Sequence, residues 1–249
     1  MFKNNAIRAS HPRASSPVGW ALAAALLAGA AFPAHATIFP FSSGFSPSVN
    51  GTPSPWSYLQ RDLSNLETPL TGANTVFHTW HTSYLTGTPG NTLGWDTPNV
   101  PNNIPVFFAH NNFQLWWVRG NCCGPVTLPA KSVFMHPGAG GIKAVLSFVV
   151  PPKATGASYR SARIKGQFTH VDCQGVPYGA DGIIWSVEHN LSVVAGPTAL
   201  NSTNCSALAS SPVTPSFAVT TGDTIKFVVD ANTNEQFDLT ALAGAIDLN

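Results

Sequence analysis

The chain has 249 residues, only 9% of them charged, with 21 Gly, 21 Pro and a formal net charge of +1. So few charges among so many turn-formers exclude a helical bundle, whose solvent faces need Glu, Lys and Arg, and favour strands joined by many turns. The near-neutral balance also excludes a phosphate-backbone binder, so no nucleic-acid partner is expected.

Residues 1–36 read as a signal peptide. Lys3, Arg8 and Arg13 make a positive n-region, Val18 to Phe32 an apolar stretch, and Ala34-His35-Ala36 a small-x-small cleavage site. The alternative is a membrane anchor, but about 15 apolar residues fall short of the ~20 that a spanning helix needs. The remaining 37–249 form one expected domain of about 213 residues with nine basic and eleven acidic side chains, a net charge of −2. No second long apolar segment follows, so a secreted, periplasmic or cell-surface chain with no membrane span is expected.

Residues 37–56, rich in Ser, Pro, Gly and Phe, read as an extended lead-in. Arg61 to Glu67 suggests a short helical turn before the stop at Pro69. A strand is expected over Thr75 to Tyr84. Gly87 to Pro105 then makes a long loop carrying Trp95, and loops of that length are usually functional or mobile. Val106 to Ala109 and Phe113 to Arg119 flank a His-Asn-Asn turn, and Ser132 to His136 and Lys143 to Val150 flank Pro137 to Gly141.

Ser158 to Val171 is a long strand with Ile164 and Phe168 on one face and Arg163, Lys165, Gln167 and Thr169 on the other. Gly182 to Glu188 and Leu191 to Ala195 make a hairpin around His189-Asn190. Ser216 to Thr220 and Thr224 to Asp230 form the last clear pair, in which Ile225, Phe227 and Val229 alternate with Thr224, Lys226 and Val228. Phe237 to Leu239 and Ala245 to Leu248 close the chain. Roughly ten short strands at this spacing predict an all-β, two-sheet antiparallel sandwich of jelly-roll type.

All four cysteines lie beyond the signal and meet an oxidising compartment. Four cysteines allow three connectivities. Cys173 with Cys205 is preferred, because both sit in polar loops flanking one hairpin. That leaves Cys122 and Cys123 free or joined as a vicinal ring. A zinc site is not expected without a Cys-x-x-Cys pattern.

An ordered set of short motifs spans about residue 45 to the end. It runs through Asn50-Gly-Thr-Pro-Ser-Pro-Trp-Ser-Tyr58, His136-Pro-Gly138 before Ala144 to Pro151, then Tyr159 and Gly166-Gln-Phe168. Asp172, Asp181-Gly182 before Trp185-Ser-Val187, Gly222 to Asp230, and Asn234 to Asp238 complete it. In that order they resemble a carbohydrate-binding-module-like β-sandwich domain of secreted bacterial proteins, often found with a PEP-CTERM export tail. The resemblance implies a jelly-roll-like fold and association with a glycan, and supplies no catalytic residue. Two departures stand out: no Val-Pro-Glu-Pro tail follows Asn249, and Trp116 to Cys123 is foreign to the family pattern.

Exposed aromatics stack on sugar rings, and large aromatics give much contact area at little entropic cost. Trp56, Trp80 and Trp185 read as core. Trp116 and Trp117 are adjacent in a predicted strand and so face opposite sides. With the loop residue Trp95 they are the candidate ligand-binding side chains. Asp230, Asn232, Asn234 and Asp238 offer hard oxygen ligands that suit calcium. Glu235 and Ala241 break a helix–loop–helix calcium spacing, however, and an Asx-turn satisfying its own backbone is the preferred reading. His78 and His81 fall on opposite strand faces, which argues against joint metal ligation.

Only three Glu exist (Glu67, Glu188, Glu235), and glycoside cleavage needs two carboxylates at a defined separation. Glu188, expected near the Asp172 and Asp181 loops, is the one catalytic candidate, and a solvent-facing strand residue is the stronger reading of it. Three functions follow in order: a non-catalytic glycan binder, an adhesive surface or matrix component, and a polysaccharide hydrolase or lyase.

Overall fold

Alternation of apolar and polar residues governs the folded chain. A computed structural model describes residues 36–46, 49–70, 72–74, 93–96, 107–111, 115–118, 125–129, 131–171, 181–200, 209–210, 214–235 and 238–249. At 72–74, 93–96, 107–111, 115–118, 125–128 and 209–210 it describes the backbone alone.

The strands begin with β1 (Thr37–Pro40), β2 (Trp56–Arg61), β3 (Glu67–Pro69), β4 (Gly72–Asn74), β5 (Leu93–Asp96) and β6 (Phe107–Asn111). There follow β7 (Leu115–Val118), β8 (Pro125–Leu128), β9 (Ser132–His136), β10 (Lys143–Val149), β11 (Ser161–His170) and β12 (Ile183–His189). The last are β13 (Ser192–Leu200), β14 (Ala209–Ser210), β15 (Phe217–Ala218), β16 (Thr224–Ala231) and β17 (Thr240–Leu248). A 3-10 turn at Ala139–Gly141 is the one helical element among the described residues.

A nine-stranded sheet runs β14-β11-β17-β9-β6-β5-β4, with β1 also on β17 and β15 on β11. A six-stranded sheet runs β13-β12-β16-β10-β2-β3, and β7 pairs with β8 alone. Ile164, Phe168, Leu242 and Ile246 from the first sheet share one buried cluster with Tyr58, Leu146, Phe148 and Phe227 from the second. Phe168 stacks on Trp185 across the gap, 4.9 Å between ring centroids. Phe41, just after β1, inserts edge-on against Phe227 at 4.7 Å. Each such side chain contributes roughly 1.5–3 kcal/mol on burial. The protein is an all-β sandwich of two antiparallel sheets, as the strand spacing predicts.

Local periodicity identified strands better than it identified their partners. Arg61 to Glu67 is not a helical turn but the tip of the β2–β3 hairpin. Asp62 Oδ1 accepts from the Ser64 and Leu66 amides at 2.8 and 2.9 Å, and Asn65 takes φ 64°. Trp95 lies within β5, opposite Ala73 and Phe108, and not in a loop.

The segments flanking Pro137 to Gly141 belong to different sheets, since β9 pairs with β17 and β6 while β10 pairs with β16 and β2. Strands β6 and β7 likewise separate. Strand β15 pairs with β11, so it is not the partner of β16. Predicted features at 75–84, Asp172, Trp80, His78, His81, Phe237 and all four cysteines lie outside the described residues.

Candidate functional site

In the six-stranded sheet, Trp56, Tyr58, Leu146, Phe148, Val187 and Phe227 fill the core. Side chains alternate along a strand, so Arg61, Glu188 and Lys226 emerge on the opposite, outer face. Glu67 joins them as the cross-strand neighbour of Arg61. The register separates Arg61 from Glu188 by three strand spacings and four residues. On a flat sheet that is about 20 Å, beyond the reach of the two side chains. Yet Arg61 Nη1 and Nη2 donate to Glu188 Oε1 and Oε2 at 2.7 and 2.6 Å. The sheet is therefore curled, and its outer face is concave. The ion pairs bridge across the row that holds Val145 and Val228, which are themselves buried on this face.

The remaining contacts close the cluster. Arg61 Nε and Nη2 donate to Glu67 Oε1 at 3.0 and 2.6 Å. Lys226 Nζ donates to both Glu67 oxygens at 2.9 and 2.8 Å. The four side chains are only 10–21% exposed. The bidentate bond from Glu188 drives the Arg61 guanidinium further above its already high range. Burial pushes the Glu67 carboxyl up, but the hydrogen bonds from Lys226 and Arg61 outweigh it and hold that group below its ordinary value. Two positive and two negative groups cancel.

A cleft of about 530 Å³ opens over this floor, walled by Asn65 and Leu66 of the β2–β3 hairpin and by Leu191 of the β12–β13 turn. Leu66 and Leu191 are 62% and 96% exposed, so apolar carbon stands at the mouth and charge at the base. Asn190 holds the β12–β13 turn, taking φ 54° and accepting from the Thr224 amide at 2.9 Å. Chemically the floor donates and accepts hydrogen bonds. Glu67, kept ionised by two cations, is an acceptor and not a proton donor at neutral pH.

The sequence-predicted residues fall elsewhere. Trp95 is in β5, Trp116 opposite Thr127 and Trp117 opposite Val126 in the β7–β8 pair. Asp230 caps the outer face of β16 and pairs with Lys143 at 2.8 Å. Asn232 Nδ2 donates to the Asp181 carbonyl at 3.4 Å, and the Asp181 carboxylate accepts from the Thr233 amide and hydroxyl. Asp238 is fully buried, its Oδ1 3.9 Å from His170 Nε2. Among the described residues no group of three or more His, Cys, Asp or Glu is arranged to hold a metal.

Glu188 sits at the far end of β12 from Asp181, so the expected pairing with that loop is corrected. It is not a free solvent-facing residue either, being bound to Arg61. Sequence reasoning missed Arg61, Glu67 and Lys226 as a group. The one available signal was scarcity, since charges this few invite pairing.

No family model matches the chain, and no curated protein matches it. Among solved structures it is similar to CBM51 from Clostridium perfringens GH95 in complex with methyl-galactose, at 13% identity and TM-score 0.34, covering 55% of this chain and 80% of that one. It is also similar to the CBM51-2 and INT domains from Clostridium perfringens ZmpB, at 12% identity and TM-score 0.30, covering 66% of this chain and 39% of that one. The same domains with GlcNAc give 13% identity, TM-score 0.30, and again 39% of that chain. At these scores the likeness is coarse and gives no residue of this chain a role. No helix of the described residues is long and apolar enough to cross a membrane.

Proposed function

We propose that this is an exported, non-catalytic β-sandwich protein that binds a carbohydrate in the concave cleft of its six-stranded sheet. The carrying observation is the cleft itself: about 530 Å³ over a floor of four fixed polar side chains, with Leu66 and Leu191 at the mouth. That volume lies within the ~300–1,000 Å³ usual for small-ligand sites. Side chains already locked by their mutual bonds meet hydroxyl groups with little further loss of entropy. Leucines supply the apolar contact that the C–H face of a sugar ring seeks. Export rests on the basic, apolar and small-x-small order of residues 1–36, with cleavage after Ala36. The test is calorimetric titration of the chain lacking 1–36 against a panel of polysaccharides, where saturable heat from at least one supports the reading and silence across the panel defeats it.

A second reading is favoured by the exposed Leu66, Leu191 and Val193 on the same face. As an adhesive surface component, the protein associates with itself as concentration rises and gives no saturable glycan signal.

A further inference from the structure

Glu188 and Lys226 are directly opposed across β12 and β16, an arrangement that normally brings opposite charges together. Each is bound elsewhere instead, Glu188 to Arg61 and Lys226 to Glu67. This leaves a defined residue of hydrogen-bonding capacity. A carboxylate has about four acceptor sites and an ammonium three donors. Glu67 takes four bonds, three at Oε1 and one at Oε2, so its acceptor capacity is nearly used. Glu188 takes two and keeps two, while Lys226 spends two donors and keeps one. The cleft therefore offers a spare acceptor and a spare donor side by side, on neighbouring strands about 5 Å apart at Cβ.

Charge adds a second constraint. All four charges neutralise one another, so the cleft attracts neither anion nor cation. A uronate or sulfate accepting from the spare Lys226 donor would bring an uncompensated negative charge onto a neutral, largely buried floor beside Glu67 and Glu188. Hydroxyl groups face no such cost.

We propose that the cleft selects uncharged glycans that present a vicinal diol, one hydroxyl donating to the Glu188 carboxylate while its neighbour accepts from the Lys226 ammonium. This deepens the carbohydrate-binding reading and rests on it. Leu66 and Leu191 then flank the ring carrying the diol, and acidic polysaccharides are rejected at the floor.

The test is calorimetric titration of the chain lacking 1–36 with neutral glucan and galactomannan, with the same polymers after periodate cleavage of their diols and borohydride reduction, and with polygalacturonate. The expected result is saturable binding of an untreated neutral polymer, weakened at least about 10-fold by periodate. That binding should be unchanged between roughly 0.05 and 0.5 M salt, with polygalacturonate inert. Glu188→Gln should weaken it by about 10-fold, its denaturation midpoint recording whether the fold survives. Leu191→Ala, at a fully exposed site away from the ion pairs, should weaken it a few-fold with the fold untouched. Salt-sensitive preference for polygalacturonate, or indifference to periodate, overturns the inference and leaves carbohydrate binding standing. Silence from every polymer defeats the reading beneath it as well.

Discussion

Arg61 and Glu188 are 127 residues apart in sequence and joined by two parallel hydrogen bonds of 2.7 and 2.6 Å. Removing one partner of a largely buried pair strands the other charge. Arg61→Met should therefore destabilise the protein by about 3 kcal/mol, read from denaturant midpoints. Arg61→Met combined with Glu188→Leu leaves the Glu67–Lys226 pair balanced and should recover most of the loss. An additive double variant would show that the pair is not coupled.

Acid should weaken the fold in a defined window. Glu67 is held below its ordinary value of 4.5 once bonds from Lys226 and Arg61 outweigh burial. Asp223 is held below 3.8, chiefly by the Thr220 amide, against desolvation and with help from His189 and Asn190. A depressed carboxylate stabilises the native state above its ordinary value and loses that contribution as pH falls through its lower folded value. Stability should thus decline below about pH 4.5. Glu67→Gln should be less stable at neutral pH and show a shallower acid decline, measured as midpoint against pH.

Gly244 adopts φ 129° within β17, and a Cβ there would meet the Lys165 carbonyl and the Gly166 backbone of β11. Neither obstacle can swing aside. Gly244→Ala should cost at least about 2 kcal/mol. Gly156→Ala, at φ 76° with nothing near the added carbon, isolates the backbone strain alone and should cost about 1 kcal/mol.

The Asp230 to Asp238 segment separates two readings through chelation. Lys143 neutralises Asp230, and Asp181 staples the turn through the Thr233 amide and hydroxyl. The melting temperature should be the same in excess chelator and in millimolar calcium. A calcium-dependent rise would support a metal role for Asp230, Asn232, Asn234 and Asp238.

How far the fold could be read from the chain depended on the range of the interactions. Ile225, Phe227 and Val229 are buried as their alternation demands, and Ile164 and Phe168 likewise. Alternation is a local property, and local properties are legible. Which strand lies beside which is not, so β15 and β16 looked like a pair although each bonds elsewhere. The Asp62 loop misled for a physical reason. A carboxylate that gathers nearby amides starts a helix or closes a turn by the same chemistry, and only the positive φ of Asn65 distinguishes the outcomes. The candidate site was hidden more deeply. Its members come from β2, β3, β12 and β16, and they meet because the sheet curls.

Glycan binding is proposed on the concave face at Glu67, Glu188 and Lys226. Backbone amide shifts of the isotopically labelled chain, followed while a neutral polysaccharide fragment is titrated, test it most directly. The largest shifts are expected at Glu67, Glu188, Leu191 and Lys226. Shifts gathered around Trp95 or the Trp116–Trp117 strand, with those four positions still, would contradict it.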